Sequence, residues 1–154
     1  MSQLSPKPIE IDGSDYSIAI VAARYNEVYV GGLIRGVVAE LEKAGVQNTL
    51  IERVPGSNEL PVASKLIASA GRYDAIVALG AIIAGGTKHY ELVADASNIG
   101  LQQVALDTGI PIVNGVIVGD DEEQVRERCV GAIPKGTEFG QCALEMARMR
   151  REYQ

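Results

Sequence analysis

The sequence has few of the side chains that usually carry metal, redox or aromatic-stacking chemistry. Its 154 residues include no tryptophan, one phenylalanine (Phe139), one histidine (His89) and two cysteines, Cys129 and Cys142. One histidine and two cysteines are too few for a zinc site, and the cysteines are expected to be free thiols in a reducing compartment. An aromatic side chain that stacks on a ligand must therefore be one of the six tyrosines.

Long apolar runs and an excess of positive charge are also absent. No apolar run approaches the roughly 20 residues that a membrane-spanning helix needs, and the opening residues lack the basic-then-apolar order of a secretory signal. We therefore expect a cytoplasmic location. The formal net charge is −6 at pH 7, which argues against DNA or RNA as the main partner because nucleic-acid binding needs a basic surface.

The sequence does contain a regular alternation of short apolar runs and amphipathic stretches. The apolar runs are rich in Ile and Val, and they predict four strands at 17–23, 49–54, 74–80 and 110–118. Apolar residues at helical spacing predict a helix after each of the first two strands, and helix start and stop signals predict one after each of the last two and one more at the end. This alternation predicts a three-layer, flavodoxin-like α/β fold, with a four-stranded parallel sheet and helices on both faces.

The length favours one domain, which we expect to span residues 16–154. Residues 1–15 contain two prolines and a glycine, and they predict an N-terminal arm that is either frayed or docked on a neighbouring subunit. If the arm adds a strand to a neighbour's sheet, residues 7–11 are the segment that pairs.

Ligands of an open parallel sheet bind beyond the carboxyl ends of the strands, and the segment after the third strand is "GAIIAGGTKHY". It nearly matches the G-x-x-x-x-G-K-[ST] loop of nucleotide triphosphate sites. Gly86 replaces the lysine that would contact the phosphates, so we exclude such a site. With Thr87 as N-cap, the first N–H groups of the following helix could bind a single phosphate. The alternative is a plain glycine-rich helix start.

Further candidate side chains stand at the strand ends. His89 falls in the first turn of the third helix and could transfer protons near neutral pH, although a lone histidine is more often structural. Glu59, beside Ser57 and Asn58, suits a ligand with several hydroxyls, or it simply favours the helix dipole. Tyr25 follows the first strand and either stacks on a flat heterocycle or is a half-buried loop tyrosine.

Four acidic residues, Asp120 to Glu123, open the fourth helix. Capping and the helix dipole explain them better than a metal site does, so we predict no metal. Arg126 and Arg128 follow on the same helix. They lie two residues apart and point in different directions, so one of them could reach a site while the other stays at the surface.

The chain resembles the lumazine synthase (6,7-dimethyl-8-ribityllumazine synthase) family over about residues 16–150. Six segments carry the resemblance, in this order: "ARYNE", "VPGSNELP", "GGTKHYELV", "IPIVNGVIV", "DDEEQVRER" and "ALEMA". The resemblance implies a transferase of riboflavin biosynthesis without metal or organic cofactor. Such an enzyme condenses 5-amino-6-(D-ribitylamino)uracil with 3,4-dihydroxy-2-butanone 4-phosphate through a Schiff base, loss of phosphate and ring closure. Each step needs proton transfer and positioning.

The resemblance also implies a role for each matching position. His89 would donate and accept protons, and Gly86, Thr87 and Arg128 would bind the substrate phosphate. Tyr25 would stack on the pyrimidine. The other substrate contacts would come from Ser57, Asn58, Glu59, Ala81, Ile82, Ile83 and Asn114, with Glu59 on the ribityl hydroxyls.

The chain departs from the family pattern at several positions. Asn58 and Asn114 stand where the family usually has aromatic side chains, Ala84 stands where it usually has arginine, and only Lys135 remains of a lysine- and glycine-rich segment. Losing one aromatic contact costs about 1–3 kcal/mol of binding. The alternative function is therefore a shell or scaffold protein of this fold with weak or no catalysis. A flavin- or anion-binding module is a weaker third reading.

The family also implies partners. Its active sites lie between adjacent subunits of a homopentamer, and some members assemble pentamers into an icosahedral shell of sixty subunits. We therefore expect a homo-oligomer, either pentamer or shell, with two small-molecule substrates of which one is phosphorylated. Neither nucleic acid nor a membrane is expected as a partner.

Overall fold

The chain folds as strand–helix units around a parallel sheet in the computed structural model, which describes residues 4–154. The strands are β1 (Ser17–Ala23), β2 (Asn48–Val54), β3 (Ala75–Ile83) and β4 (Ile112–Gly119). The helices are α1 (Glu27–Lys43), α2 (Leu60–Ser69), α3 (His89–Thr108), α4 (Glu122–Cys129) and α5 (Lys135–Glu152), with a 3-10 turn, Ser57–Glu59, before α2.

The sheet has the strand order β2-β1-β3-β4, and all neighbours pair in parallel. The chain leaves β1 toward one edge of the sheet and returns through β3 toward the other edge. The carboxyl ends of β1 and β3 therefore flank the point where the direction of winding reverses, which is where open α/β sheets bind ligands. The predicted three-layer, flavodoxin-like α/β fold is confirmed.

Both faces of the sheet are covered, which explains why its central strands are continuous apolar runs. Residues Ile18 and Ile20 of β1 face a core that includes α1, α4 and α5. Their neighbours Ala19 and Val21 face the opposite core, which includes α2 and α3. All four side chains are fully buried.

The third strand is longer than the sequence predicts. The prediction ends it at Gly80, but β3 continues to Ile83 because it keeps pairing with β4, from Ala81↔Ile117 to Ile83↔Gly119. The polar interruption at Asn114 does not break β4 either. This extension carries the apolar end of β3 into the region beyond the carboxyl ends of the strands, where ligands are expected to bind.

Helices α1 and α5 approach each other through glycines. A Cβ atom added at Gly36 would lie 3.0 Å from the Cα atom of Gly136 and 3.1 Å from the backbone nitrogen of Thr137. Backbone atoms cannot move aside as a flexible side chain can. The absence of a side chain at Gly36 therefore sets how closely the two helices pack.

The N-terminal segment forms neither helix nor strand within the chain between residues 4 and 13. The backbone N–H of Gly13 donates to the carbonyl of Ala44 at 2.7 Å, which ties the segment to the end of α1. Ile9 is 54% exposed. The first three residues of the predicted arm lie outside the described residues.

Two further features bear on the sequence-based expectations. Both cysteines, Cys129 and Cys142, are free thiols, and burial raises the pKa of Cys129 to about 11. Among the helices of residues 4–154, none is long and apolar enough to span a bilayer.

Candidate active site

A cleft of about 770 Å³ opens at the carboxyl ends of β1 and β3. Most of the site residues predicted from the sequence line it: Tyr25, Ser57, Asn58, Glu59, Ala81, Ile82, Ile83, Thr87 and His89. A second depression, of about 790 Å³, lies between residues 8–12 and helices α1 and α5. We take the first cleft as the candidate site because it lies where the winding of the sheet reverses and contains the histidine.

The segment Ser57–Glu59 is packed against the sheet through Gly80. A Cβ atom at Gly80 would lie 2.3 Å from the Oγ atom of Ser57, and Ser57 is only 6% exposed. Glycine within β3 therefore lets the 3-10 turn sit against the strand and brings its polar side chains over the cleft.

Glu59 combines a structural contact with a place in the cleft. One of its carboxylate oxygens, Oε2, accepts a hydrogen bond from the backbone N–H of Gly56 at 2.9 Å. This contact stabilises the start of the turn, as the helix-start interpretation expects. The same side chain also lines the cleft, so its two interpretations are compatible.

The third helix presents its N-terminal end to the cleft, with His89 as its first residue. The predicted cap at Thr87 is wrong by one position, since Lys88 is the N-cap and makes no side-chain capping bond. The hydroxyl of Thr87 accepts only a long bond, 3.4 Å, from the N–H of His89. No heavy atom lies within 4 Å of an added Cβ at Gly85 or Gly86, so the loop is open to a ligand.

An apolar wall on α3 was not predicted from the sequence. Leu92, Val93 and Ala96 line the cleft together with His89. They follow His89 by three, four and seven residues, which is the spacing of one helix face. That spacing is the sequence signal that would have identified them.

Tyr25 lies at the mouth of the cleft and is 73% exposed. Its ring lies over the backbone of Gly56, where an added Cβ would be 3.1 Å from the Cδ2 atom of Tyr25. The next residue, Asn26, donates from Nδ2 to the carbonyl of Ala81 at 2.7 Å. Asn26 was not predicted as a site residue because only the folded sheet brings the ends of β1 and β3 together.

Three of the predicted site residues do not line the cleft of this chain. Gly86 is in the open loop beside it. Asn114 lies within β4 and donates from Nδ2 to the Oδ1 atom of Asn98 at 2.7 Å. Arg128, on α4, donates to the carbonyl of its own helix residue Gln124 at 2.9 Å.

The acidic run at the start of α4 acts as a cap. Asp121 is the N-cap, and its side chain accepts from the N–H of Gln124 at 2.9 Å. Within residues 4–154, no three His, Cys, Asp or Glu side chains are grouped so that they could hold a metal ion. Arg126 binds Glu123 and Glu127 at the surface.

Comparison with known sequences identifies the family of the chain. The sequence profile of 6,7-dimethyl-8-ribityllumazine synthase matches residues 15–151. The chain belongs to the lumazine synthase family. Proteins named 6,7-dimethyl-8-ribityllumazine synthase from Thermococcus gammatolerans and Cupriavidus necator are 41% and 42% identical to it, over 91% and 92% of this chain and 91% and 85% of theirs. That of Kineococcus radiotolerans is 48% identical over 78% of this chain and 74% of its own.

The departures of this lumazine synthase family member fall in different parts of the molecule. Asn58 lines the cleft, whereas Asn114 is held by Asn98 outside it. Ala84 follows β3, and its N–H donates to the carbonyl of Gly119 at 2.9 Å. His89 and Glu59 both line the cleft of a chain that has these departures.

Proposed function

We propose that the chain condenses 5-amino-6-(D-ribitylamino)uracil with 3,4-dihydroxy-2-butanone 4-phosphate to give 6,7-dimethyl-8-ribityllumazine, phosphate and water. One observation carries this proposal. In a member of the lumazine synthase family, Tyr25, the polar turn Ser57–Glu59 and His89 line the same cleft. Nothing in residues 4–154 favours the alternative of a shell without catalysis.

We assign the residue roles by the chemistry that each group offers. The ring of Tyr25 stacks on the pyrimidine, and Glu59 with Ser57 and Asn58 binds the ribityl hydroxyls. The end of β3, Ala81, Ile82 and Ile83, forms the apolar side of the ring site. His89 accepts the proton released when the primary amine attacks the ketone, and it returns protons during loss of phosphate and water.

The phosphate of the second substrate binds at the open loop Gly86–Thr87 and the N-terminal end of α3. An anion is stabilised there by about 0.3–1 kcal/mol from the helix dipole alone, so a cation is needed as well. We propose that Arg128 and Asn114 supply contacts to a neighbouring subunit's cleft. This proposal is supported by their position outside the cleft of their own chain.

Self-association is supported by an exposed, largely apolar seam on α3. We define this seam as Leu92, Ala96, Ile99, Gln103 and Leu106, which follow one another at alternating spacings of four and three residues, as in helices that pack along their length. Leu92 and Ile99 are each 67% exposed and Leu106 is 74% exposed. We propose a cytoplasmic homopentamer built along this seam, in which pentamers either stay separate or assemble into a shell of sixty.

The domain boundaries follow from the same proposal. We propose residues 1–15 as an arm and residues 16–154 as the enzyme domain. A docking role for the arm is supported by the lack of helix and strand between residues 4 and 13 and by its exposed Ile9. Residues 7–11 would add a strand to a neighbouring subunit's sheet.

One assay tests the activity. The purified protein is mixed with both substrates, and the absorbance and fluorescence of the lumazine are followed. We expect product to form faster than in the uncatalysed mixture. Formation at the background rate, by protein that is folded and assembled, would rule out the enzyme. The mass in solution then distinguishes a pentamer from a shell.

A further inference from the structure

The loop that carries Tyr25 is held from the edge strand by one arginine. Arg53 lies on β2, beside the end of β1 in the parallel register. Its Nε atom donates to the carbonyl of Ala22 at 3.2 Å, and its Nη2 atom donates to the carbonyl of Ala23 at 3.0 Å. These are the last two residues of β1, directly before the loop.

The same guanidinium also holds the other end of the loop. Its Nη1 and Nη2 atoms donate to the two carboxylate oxygens of Glu27 at 2.9 and 2.6 Å, and Glu27 is the first residue of α1. This is the bidentate geometry of the stronger arginine–carboxylate pairs. Four of the five N–H groups of Arg53 are thus used, two on each side of residues 24–26.

Asn26 fixes the loop from within. It has φ 57° and ψ 50°, and it is the only non-glycine residue in the described part of the chain with a positive φ. Its carbonyl accepts from the N–H groups of Tyr29 and Val30 at 3.0 and 3.1 Å, while its side chain reaches Ala81. Such a backbone conformation is strained and persists only when its surroundings hold it.

The Tyr25 side chain needs this support because burial does not provide it. The residue is 73% exposed. Its orientation therefore depends on the backbone of residues 24–26, which Arg53 and Asn26 hold in place. We infer that Arg53 is a positioning residue, which fixes the loop between Ala23 and Glu27 so that Tyr25 stays over the cleft. This inference rests on the proposed function, in which Tyr25 stacks on the pyrimidine.

The charges of Arg53 and Glu27 are consistent with an ion pair that persists at neutral pH. Arg53 lowers the pKa of the Glu27 carboxyl below its usual value, mainly through their hydrogen bonds. Glu27 in turn raises the pKa of Arg53. Both groups are therefore charged throughout the neutral range, and an isolated exposed pair would contribute little to stability. The contacts to Ala22 and Ala23 are what distinguish Arg53 from such a pair.

A double-mutant cycle on the assembled protein tests the inference. Arg53→Gln, Tyr25→Ala and the combined variant are compared for kcat and for the KM of each substrate. We expect Arg53→Gln to raise the KM of the aminopyrimidine by about 2- to 10-fold, as for coupled neighbours, and to leave the KM of the phosphate substrate unchanged. In the Tyr25→Ala background, Arg53→Gln should add nothing further, because its effect passes through Tyr25.

Arg148→Gln is the matched control. Arg148 pairs with Glu152 at 3.0 Å on α5, near Arg151, which binds Asp74 just before β3, at the end of the strand away from the cleft. Its kinetics should match those of the unchanged chain. Equal increases in both KM values, or a further increase in the Tyr25→Ala background, would overturn the positioning role.

Hydrogen–deuterium exchange separates this inference from the proposed activity. The N–H of Arg24 donates to the carbonyl of Val54 at 2.8 Å, so its exchange reports on the loop without any substrate. We expect faster exchange over residues 24–30 in Arg53→Gln and unchanged exchange in Arg148→Gln. Unchanged exchange in Arg53→Gln overturns the inference even if the enzyme is active. If the protein without substitutions makes no lumazine, the proposed activity is refuted instead.

Discussion

At the scale of single residues, the proposed chemistry depends on one histidine at a helix start. His89 is the first residue of α3 and faces the cleft. Its neighbours on the same helix face, Leu92, Val93 and Ala96, are apolar, so His89 is the side chain on this face that can transfer protons.

Replacing this imidazole should slow the reaction more than it weakens binding. We expect His89→Gln to lower kcat by about 10²–10⁴-fold, the usual contribution of a positioned proton-transfer group, with little change in either KM. Steady-state kinetics with both substrates measure this. Activity within twofold of the unchanged chain would contradict the catalytic role of His89.

A second residue-scale prediction concerns the glycine under the 3-10 turn. In Gly80→Ala, the new Cβ would lie 2.3 Å from the Oγ atom of Ser57 but 3.4 Å from its Cβ. We expect a loss of about 1–3 kcal/mol in the free energy of unfolding, as for overpacked cores, measured by urea denaturation. Adding Ser57→Ala removes the clashing Oγ and should restore most of the loss. If the double variant is no more stable than Gly80→Ala, the clash is not the cause.

At the scale of elements, the sequence predicted existence and order better than boundaries. Apolar runs, helical spacing and start and stop signals identify each of the four strands and five α-helices of residues 4–154. Gly109 ends α3 with φ 71°, because glycine adopts this left-handed conformation easily. The predicted end of β3, at Gly80, was wrong because Ala81 to Ile83 belong to the strand through their pairing with β4. Strand pairing between distant segments is not encoded in any local pattern.

The contact between α1 and α5 predicts that glycine-to-alanine changes at two positions of α1 affect stability in opposite directions. Alanine in a helix interior is usually favoured over glycine by up to about 1 kcal/mol. At Gly31, an added Cβ would approach the flexible end of Arg35, at 3.4 Å, whereas at Gly36 the nearest atom is the Cα of Gly136 at 3.0 Å.

We therefore expect Gly36→Ala to lower the free energy of unfolding by about 1–3 kcal/mol, and Gly31→Ala to leave it unchanged or raise it. Denaturation in urea compares the two variants at equal protein concentration. Gly36→Ala as stable as Gly31→Ala would show that the two helices can move apart freely.

At the scale of the whole molecule, two of the proposed site residues lie outside the cleft of their own chain. Arg128 and Asn114 bond within their own elements, outside the cleft that holds His89. The seam of α3 leaves large apolar side chains in water, and such surfaces usually mark contacts with another protein chain. Both observations support sites that form between subunits.

Mixed assemblies test whether the sites are shared. His89→Gln and Arg128→Ala should each be impaired alone, the second through a higher KM for the phosphate substrate. Coexpressed in equal amounts, they should regain about a quarter of the fully competent sites, since a heterologous ring pairs neighbouring subunits at random. Activity of the mixture is compared with that of the variants purified separately and combined without exchange. A mixture no more active than the sum of its parts would contradict a shared site.

The sequence by itself determined the layered α/β fold and the segments in which chemistry is possible. It did so because strand burial, helix spacing and residues suited to ligand contacts are local properties, readable at "ARYNE", "VPGSNELP" and "GGTKH". Only the tertiary structure decided which of these residues meet. The strand order brings Tyr25, Glu59 and His89 to one cleft and leaves Arg128 and Asn114 outside it. It also aligned Arg53 with the end of β1, because register between strands arises only when the sheet forms.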